Sequence, residues 1–391
     1  MRKELIPVAA PMFVGNEKTY VADCLESTWV PSTGKYIERF ESAFADFCGV
    51  RHALSCSNGT TALHLALRAL DVEPGDEVIV PTLTFVATAN AVRYCGAQPI
   101  FVDSEPDTWN LDPVAVEAKI TPRTKGIIVV HLFGHPVEME PILSVAKRHG
   151  LFVVEDAAQA HGAEYRGCRV GSLGDIATFS FFGNKIITTG EGGMVVTNHP
   201  ELASRIRLLK SHGMDPNRRY WFPVIGYNYR MTNVAAAIGL AQLEKIDWHL
   251  QRRRDVAEWY REELGGVPGL SWQVEKEWAR HAWWMFSVVL DDDLPVDRDE
   301  VMSSLLKRSI ETRPIVFPMH ILPPYRDSVG NATFPVADRL ARRGINLPTW
   351  AKLTRHDVQY VCENLLGVVQ RERSPREMLA VRPQRGRSHP A

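Results

Sequence analysis

EVIVPTLTFVATANAVRYCGAQPIFVD (77–103) reads as one strand–helix–strand unit. EVIVP (77–81) is a β-branched apolar run closed by proline. TFVATANAVRYCG (84–96) has helical spacing and ends at a glycine, and PIFVD (99–103) is a second apolar run. The pattern repeats outward on both sides. Downstream, helix DPVAVEAKI (112–120) is followed by strand GIIVVHL (126–132), helix MEPILSVAKRHG (139–150) and strand LFVVEDA (151–157). The runs GDIATFSFF (174–182) and GMVVTN (193–198) come next. Upstream, strand HALSCS (52–57) runs into the helix of SNGTTALHLALRAL (57–70), and two further helices are expected within residues 15–48. Buried strands alternating with helices imply an α/β fold, a mostly parallel sheet covered on both faces. Ligands of such sheets sit beyond the carboxyl ends of the strands. Thr60, Phe85, Asp156 and Lys185 all fall at or just past such ends.

Lys185 lies in ATFSFFGNKIITTGEGGMVVT (177–197), where an apolar run gives way to a glycine-rich connection. Desolvation there disfavours the ammonium form. A neutral lysine amine is a nucleophile that can form a Schiff base with an aldehyde. A surface lysine on a hairpin would look the same in this stretch alone. SNGTT places backbone N–H groups and the Thr60 and Thr61 hydroxyls at a helix N-terminus, an anion site for which phosphate is the usual guest. The plainer reading is an N-cap by Ser57 or Asn58. Asp156 ends a buried strand, where a carboxylate can keep a ring nitrogen protonated, or can simply cap a helix or pair with a cation. Phosphate, pyridinium and aldehyde are the three handles of pyridoxal 5'-phosphate, and the three features together point to that cofactor.

After residue 199 a helix leads to the aromatic and basic loop DPNRRYWFPVIGYNYRMTN (215–233), and one long helix is expected over 232–264. Strand WWMFSVVL (283–290), helix RDEVMSSLLKR (298–308), the proline-rich ETRPIVFPMHILPPY (311–325) and helix RHDVQYVCENLLGVV (355–369) make a small α+β unit. The expected division is a large domain over 1–245, a small domain over 246–371 and a disordered basic tail over 372–391.

The chain has 391 residues, 45% of them hydrophobic and 23% charged, with a formal net charge of −1. That charge offers no basic field for nucleic acid. No apolar run is long enough to span a bilayer, and Glu4, Pro7 and Pro11 interrupt the N-terminus in a way unlike a signal peptide. Six scattered cysteines without a C-x-x-C spacing fit reduced thiols in the cytoplasm. A dinucleotide-binding dehydrogenase would need G-x-G-x-x-G after the first strand, which SNGTTA lacks. A zinc hydrolase is disfavoured because no H-E-x-x-H occurs, so no metal site is expected.

SNGTTALHLAL, VPTLTFVATANAV, VVEDAAQAHGA, FSFFGNKIITTGEGGMV, GYNYRMTN and PMHILPPY closely resemble segments of the DegT/DnrJ/EryC1/StrS sugar aminotransferases. The resemblance runs from about residue 8 to about residue 370. It implies the aspartate-aminotransferase-like fold of PLP fold type I: a large domain with a mostly parallel seven-stranded sheet between helices, plus a smaller C-terminal α+β domain. By this resemblance Lys185 would be the Schiff-base lysine and the acid/base. Asp156 would pair with the pyridine nitrogen, Gln159 would bond the ring hydroxyl and Phe85 would stack on the ring. Gly59, Thr60 and Ser180 would hold the phosphate. Asn228 would reach the phosphate of a neighbouring subunit, since the family builds its site at a homodimer interface. His161, Arg219, His320 and Tyr325 would be candidates for the sugar or its nucleotide. Residues 181–193 and 215–233 look most like members that move an amino group from L-glutamate to C4 of GDP-4-keto-6-deoxymannose. Another nucleotide-linked ketosugar, or a cyclitol, is the alternative. Lysine rather than histidine at 185 argues against the members that dehydrate the sugar.

Overall fold

Seven short runs hydrogen-bond into one sheet in the computed structural model, which describes residues 4–370. The expected tail over 372–391 lies outside the described residues. Two helices open the fold, α1 (Glu17–Glu26) and α2 (Lys35–Cys48), and α2 buries Tyr36, Phe40, Phe44 and Ala45 along one stripe. Strands and helices then alternate: β1 (His52–Cys56), α3 (Gly59–Ala69), β2 (Glu77–Pro81), α4 (Ala87–Tyr94), β3 (Gln98–Val102), α5 (Pro113–Glu117), β4 (Thr124–Val130), α6 (Met139–His149) and β5 (Phe152–Asp156). Two-residue strands β6 (Glu164–Tyr165) and β7 (Cys168–Arg169) precede β8 (Ile176–Ser180) and β9 (Gly193–Thr197).

The sheet order is β1-β9-β8-β5-β4-β2-β3. All pairings are parallel except those of β9, which runs antiparallel to both β1 and β8. β2 and β8 are buried at every position, as continuous β-branched and aromatic runs require when helices cover both faces.

The chain continues through α7 (Pro200–Leu209), α8 (Asn233–Leu243) and α9 (Ile246–Leu264) into β10 (Leu270–Trp272), β11 (Ala279–Arg280), β12 (Phe286–Leu290) and α10 (Arg298–Leu306). It closes with β13 (Arg313–Pro314), α11 (Pro335–Arg343), β14 (Gly344–Leu347) and α12 (Arg355–Val369). Strands β10-β12-β14-β13 form a second, antiparallel sheet. Strand β11 joins β6 and β7 in a third, small sheet. No helix among the described residues is long and apolar enough to cross a membrane.

Several expected boundaries differ. The helix expected over 232–264 is two helices, because Lys245 leaves helical geometry at φ −116°, ψ 15°. The helix expected over 112–120 is the five-residue α5, whose only buried side chain is Val116. The strand expected from Trp283 begins at Phe286, because Trp283 has a positive φ of 49°. Helix α4 starts at Ala87 rather than 84, which leaves Phe85 in the preceding turn. The expected border at 245/246 is not a clean spatial one. Ile6 packs into the core of α9, β12 and α12, while Ala282, Trp284, Met285 and Ile315 pack into the core of the large sheet.

Candidate active site

The loop between β8 and β9 is held from below by buried Phe181, Ile186 and Ile187. The Thr188 hydroxyl and the Thr189 N–H both donate to the Phe181 carbonyl, at 2.9 Å each. These anchors leave Lys185 facing a cavity of about 640 Å³ at the carboxyl ends of the strands. Burial pushes the Lys185 amine down to about 8, against the opposing pull of Asp156. At that value about a tenth is the free amine at pH 7, far more than for an ordinary lysine. Lys185 Nζ stands 4.0 Å from the ring centre of Trp284.

Asp156 ends β5 and is 5% exposed. One carboxylate oxygen accepts from the Thr88 hydroxyl at 2.8 Å, and the other from the Ala158 N–H at 3.2 Å. Burial raises its pKa, partly offset by Thr88, Ala158 and Lys185. No salt bridge is formed by this carboxylate among the described residues, so a cation in the cavity would relieve it.

The other wall is the N-terminus of α3. Asn58 caps it by accepting from Thr61 N–H at 2.9 Å, and the Thr61 hydroxyl answers to Asn58 N–H. First-turn N–H groups have no partner within a helix, which leaves Gly59 and Thr60 as donors. A Cβ on Gly59 would meet Ser180 Cβ at 2.8 Å, and one on Gly193 would meet the Asn58 carbonyl at 2.4 Å. Glycine at these two positions lets the helix end close onto β8 and β9. Gly59, Thr60 and Ser180 thereby line the same cavity as Lys185 and Asp156.

Gln159 and Phe85 complete the group. Gln159 Oε1 accepts from Phe133 N–H at 2.8 Å, so the amide NH₂ remains to donate into the cavity that Gln159 lines. Phe85 is 59% exposed, and its position on the cavity wall explains an aromatic ring left out of the core. The residues present fit pyridoxal 5'-phosphate: a dipolar cradle for phosphate, an unpaired buried carboxylate for a protonated ring nitrogen, and an amine for the aldehyde.

The remaining expected site residues lie elsewhere in this chain. His161 is fully buried against Phe179 and Phe181, close to the Ser180 backbone. Burial, with Lys185 and Arg253 nearby, pushes it down to about 3. It sits outside the cavity lining and is neutral at physiological pH. His320 bonds Thr82 and Asp338 at 2.8 and 2.9 Å and stacks on Phe334, so it pins the proline-rich segment to the sheet rather than facing the cavity. Tyr325 is buried and donates to Asn90 at 2.5 Å. Both lie outside the cavity lining, so the structure supplies no contact for the sugar role expected of them. Arg219 and Asn228 are both exposed on the aromatic loop, with Arg219 over the Tyr220 ring at 4.9 Å. In one chain they are also outside the cavity.

The cavity has further walls that the sequence did not single out. Trp284, Arg313 and Asn346 come from the C-terminal part, and His64, Glu191 and Tyr229 from the large-sheet side. Arg313 and Asn346 are partners in register between β13 and β14. Only the folded pairing brings them to Lys185, and local pattern carries no signal of it.

With this geometry in hand, comparison with known proteins is direct. Residues 12–366 match the DegT/DnrJ/EryC1/StrS aminotransferase family. The chain is 55% identical over 360 residues to a GDP-perosamine synthase of Caulobacter vibrioides, covering 91% of this chain and 96% of that one. It is 49% identical over 362 residues to a GDP-perosamine synthase of Escherichia coli O157:H7, covering 92% and 97%. The PLP form of a Streptococcus pneumoniae protein assigned as a sugar aminotransferase superposes with a TM-score of 0.89 at 28% identity, over 95% of this chain and 100% of that one.

Proposed function

The chain belongs to the DegT/DnrJ/EryC1/StrS aminotransferase family, and on that premise we propose that it moves an amino group from L-glutamate to C4 of GDP-4-keto-6-deoxy-D-mannose, giving GDP-perosamine. It is a pyridoxal 5'-phosphate-dependent sugar aminotransferase. The observation that carries the reading is one cavity holding a half-buried lysine amine, a buried carboxylate with no ion pair among the described residues and a helix-terminus cradle.

When bound, the cofactor supplies an aldehyde that carries the amino group and a protonated ring that accepts the electron pair released at the donor's Cα. Gly59 and Thr60 N–H groups and the Ser180 hydroxyl would take its phosphate. Asp156 would hold the proton on the ring nitrogen, Gln159 would donate to the ring oxygen, and Phe85 would cover one face. Lys185 Nζ takes the proton from Cα of glutamate, and in the second half-reaction delivers a proton to C4 of the sugar. Trp284 and Phe133, 8% and 2% exposed, help exclude water.

A homodimer with shared sites fits the exposed aromatic loop, where Tyr220 is 71% and Ile225 92% exposed. In that assembly Asn228 and Arg219 would serve the cavity of the second copy, Asn228 at the phosphate. Five of six free cysteines are buried, which fits a reducing, cytoplasmic setting. The test is Lys185→Ala, which should remove turnover and the visible absorbance that survives dialysis with the cofactor. Retained turnover would overturn the assignment. Assays with GDP- and dTDP-linked 4-ketosugars, read by product mass, test the sugar, and preference for a dTDP-linked one would overturn that part.

A further inference from the structure

Trp284 is bound to the lysine loop in three independent ways. Its ring centre lies 4.0 Å from Lys185 Nζ. Its indole N–H donates to the carbonyl of Asn184, the residue before the lysine, at 2.8 Å. The buried Arg253 guanidinium donates to the Trp284 carbonyl at 2.8 Å and reaches the Lys185 carbonyl at 3.5 Å. Behind the indole, Phe133 stacks at 6.2 Å and 26°, and Trp284 itself is only 8% exposed. An indole fixed on three sides, with its face presented to a half-buried amine, is an electrostatic element as well as packing.

We propose that the Trp284 face is the seat of the Lys185 ammonium and so sets the proton affinity of the acid/base in the reaction assigned above. The π face of tryptophan attracts a cation, most strongly where water is excluded. Each transfer cycle requires Lys185 to hold a proton and give it up. Nearest that amine are Asp156 from the end of β5, neutral His161 after it and Arg253 from α9, while His64, Glu191, Tyr229 and Arg313 stand on other walls of the same cavity. Asp156 and the indole favour the ammonium, while burial opposes it. Because Asp156 is to be engaged by the cofactor ring, Trp284 is the partner that remains available to the protonated amine.

The proposal rests on the acid/base reading of Lys185, but its test uses full-length cofactor-free protein and no sugar, so the two fail separately. Competitive acetylation of Lys185 across pH 5–10, read on its peptide by mass spectrometry, gives the amine midpoint. In Trp284→Leu the midpoint should fall by about 0.5–1.5 pH units. In Trp284→Phe, which keeps a ring face but loses the indole N–H, the fall should be smaller. Circular dichroism confirms that each variant is folded. An unchanged midpoint in folded Trp284→Leu overturns the proposal. A fall in Trp284→Phe as large as in Trp284→Leu also overturns it, since the hydrogen bond to Asn184 would then be the cause.

Discussion

Glu155 and Asp156 are neighbours on β5, both buried, yet they have been provided for in opposite ways. Alternation along a strand sends them to opposite faces of the sheet. Glu155 accepts from His131 Nε2 at 3.0 Å and from the N–H groups of Gly171, Leu173 and Gly174 at 2.8 Å each. His131 Nδ1 accepts from Val137 N–H at 3.0 Å, which leaves its proton on Nε2, facing the carboxylate. Burial would raise the Glu155 pKa, but these donors outweigh it and the net direction is down. Asp156 has two donors, and its net direction is up. On one face a buried charge has a full complement of donors and locks a loop to the sheet. On the other it is left short of them, on the side where the cavity lies. Burial alone does not separate a structural carboxylate from a functional one; the count of donors does.

The signs follow for stability. Glu155, lowered on folding, contributes stability above its unfolded pKa that is lost as pH falls through the folded value. Asp156, raised on folding, contributes in full below its unfolded pKa, and that contribution is lost as pH rises through the folded value. The cofactor-free protein therefore carries at 156 a carboxyl group whose ionised form burial disfavours.

The largest effect expected from disturbing this pair is on Glu155. Glu155→Ala strands His131 and three N–H groups, and should cost about 3–5 kcal/mol of stability in denaturant titration. A loss under about 1 kcal/mol would break the contrast. Asp156→Asn should slow turnover roughly 100- to 1000-fold, by analogy with losing one preorganised electrostatic group. The cofactor-free protein should melt no lower than the parent at pH 8, and a clear drop would make Asp156 a structural carboxylate after all. Adding cofactor at about a hundredfold excess over its dissociation constant should stabilise the parent by about 2.7 kcal/mol. The gain should shrink in Asp156→Asn at the same concentration, and equal gains would detach Asp156 from the ring. The smallest effect belongs to Thr88→Ala. Losing its hydroxyl should raise the Asp156 pKa further and move the acidic limb of the pH–rate profile upward by up to about one unit. A downward shift would contradict the assigned role.

The sequence shows one member of the pair and hides the other. VVED at a strand end exposes Asp156 as a candidate because strand termini face the ligand side. The donors that occupy Glu155 come from the loop at 171–174 and from His131, just past β4, and no local pattern announces them. The alternation of strands and helices, the cradle at 57–61 and Lys185 were legible for the same reason: each is a short-range pattern tied to a strand end. His161, His320 and Tyr325 enter only through the family resemblance. Their packing against Phe179, Phe334 and Phe101 is a long-range fact. Trp284 was read as an apolar strand position, yet the turn at Trp283 carries it to Lys185. Helix α11 buries Ala337, Leu340 and Ala341 on one stripe behind its opening proline, a short-range pattern outside the sequence reading above.

The lone antiparallel strand of the large sheet also governs when the site can exist during synthesis. β1 has its ladder partner only in β9, with His52 opposite Thr197 and Cys56 opposite Gly193. The ribosome must make everything between them before β1 can join the sheet, a wait on the order of ten seconds at ordinary elongation rates. The cradle that follows β1 and the lysine loop that precedes β9 are thus brought together in the same closure. A chain interrupted before residue 193 would carry the cradle, Asp156 and Lys185 without the strand that joins their two halves. Capture of the cofactor is therefore expected to report completion of the sheet.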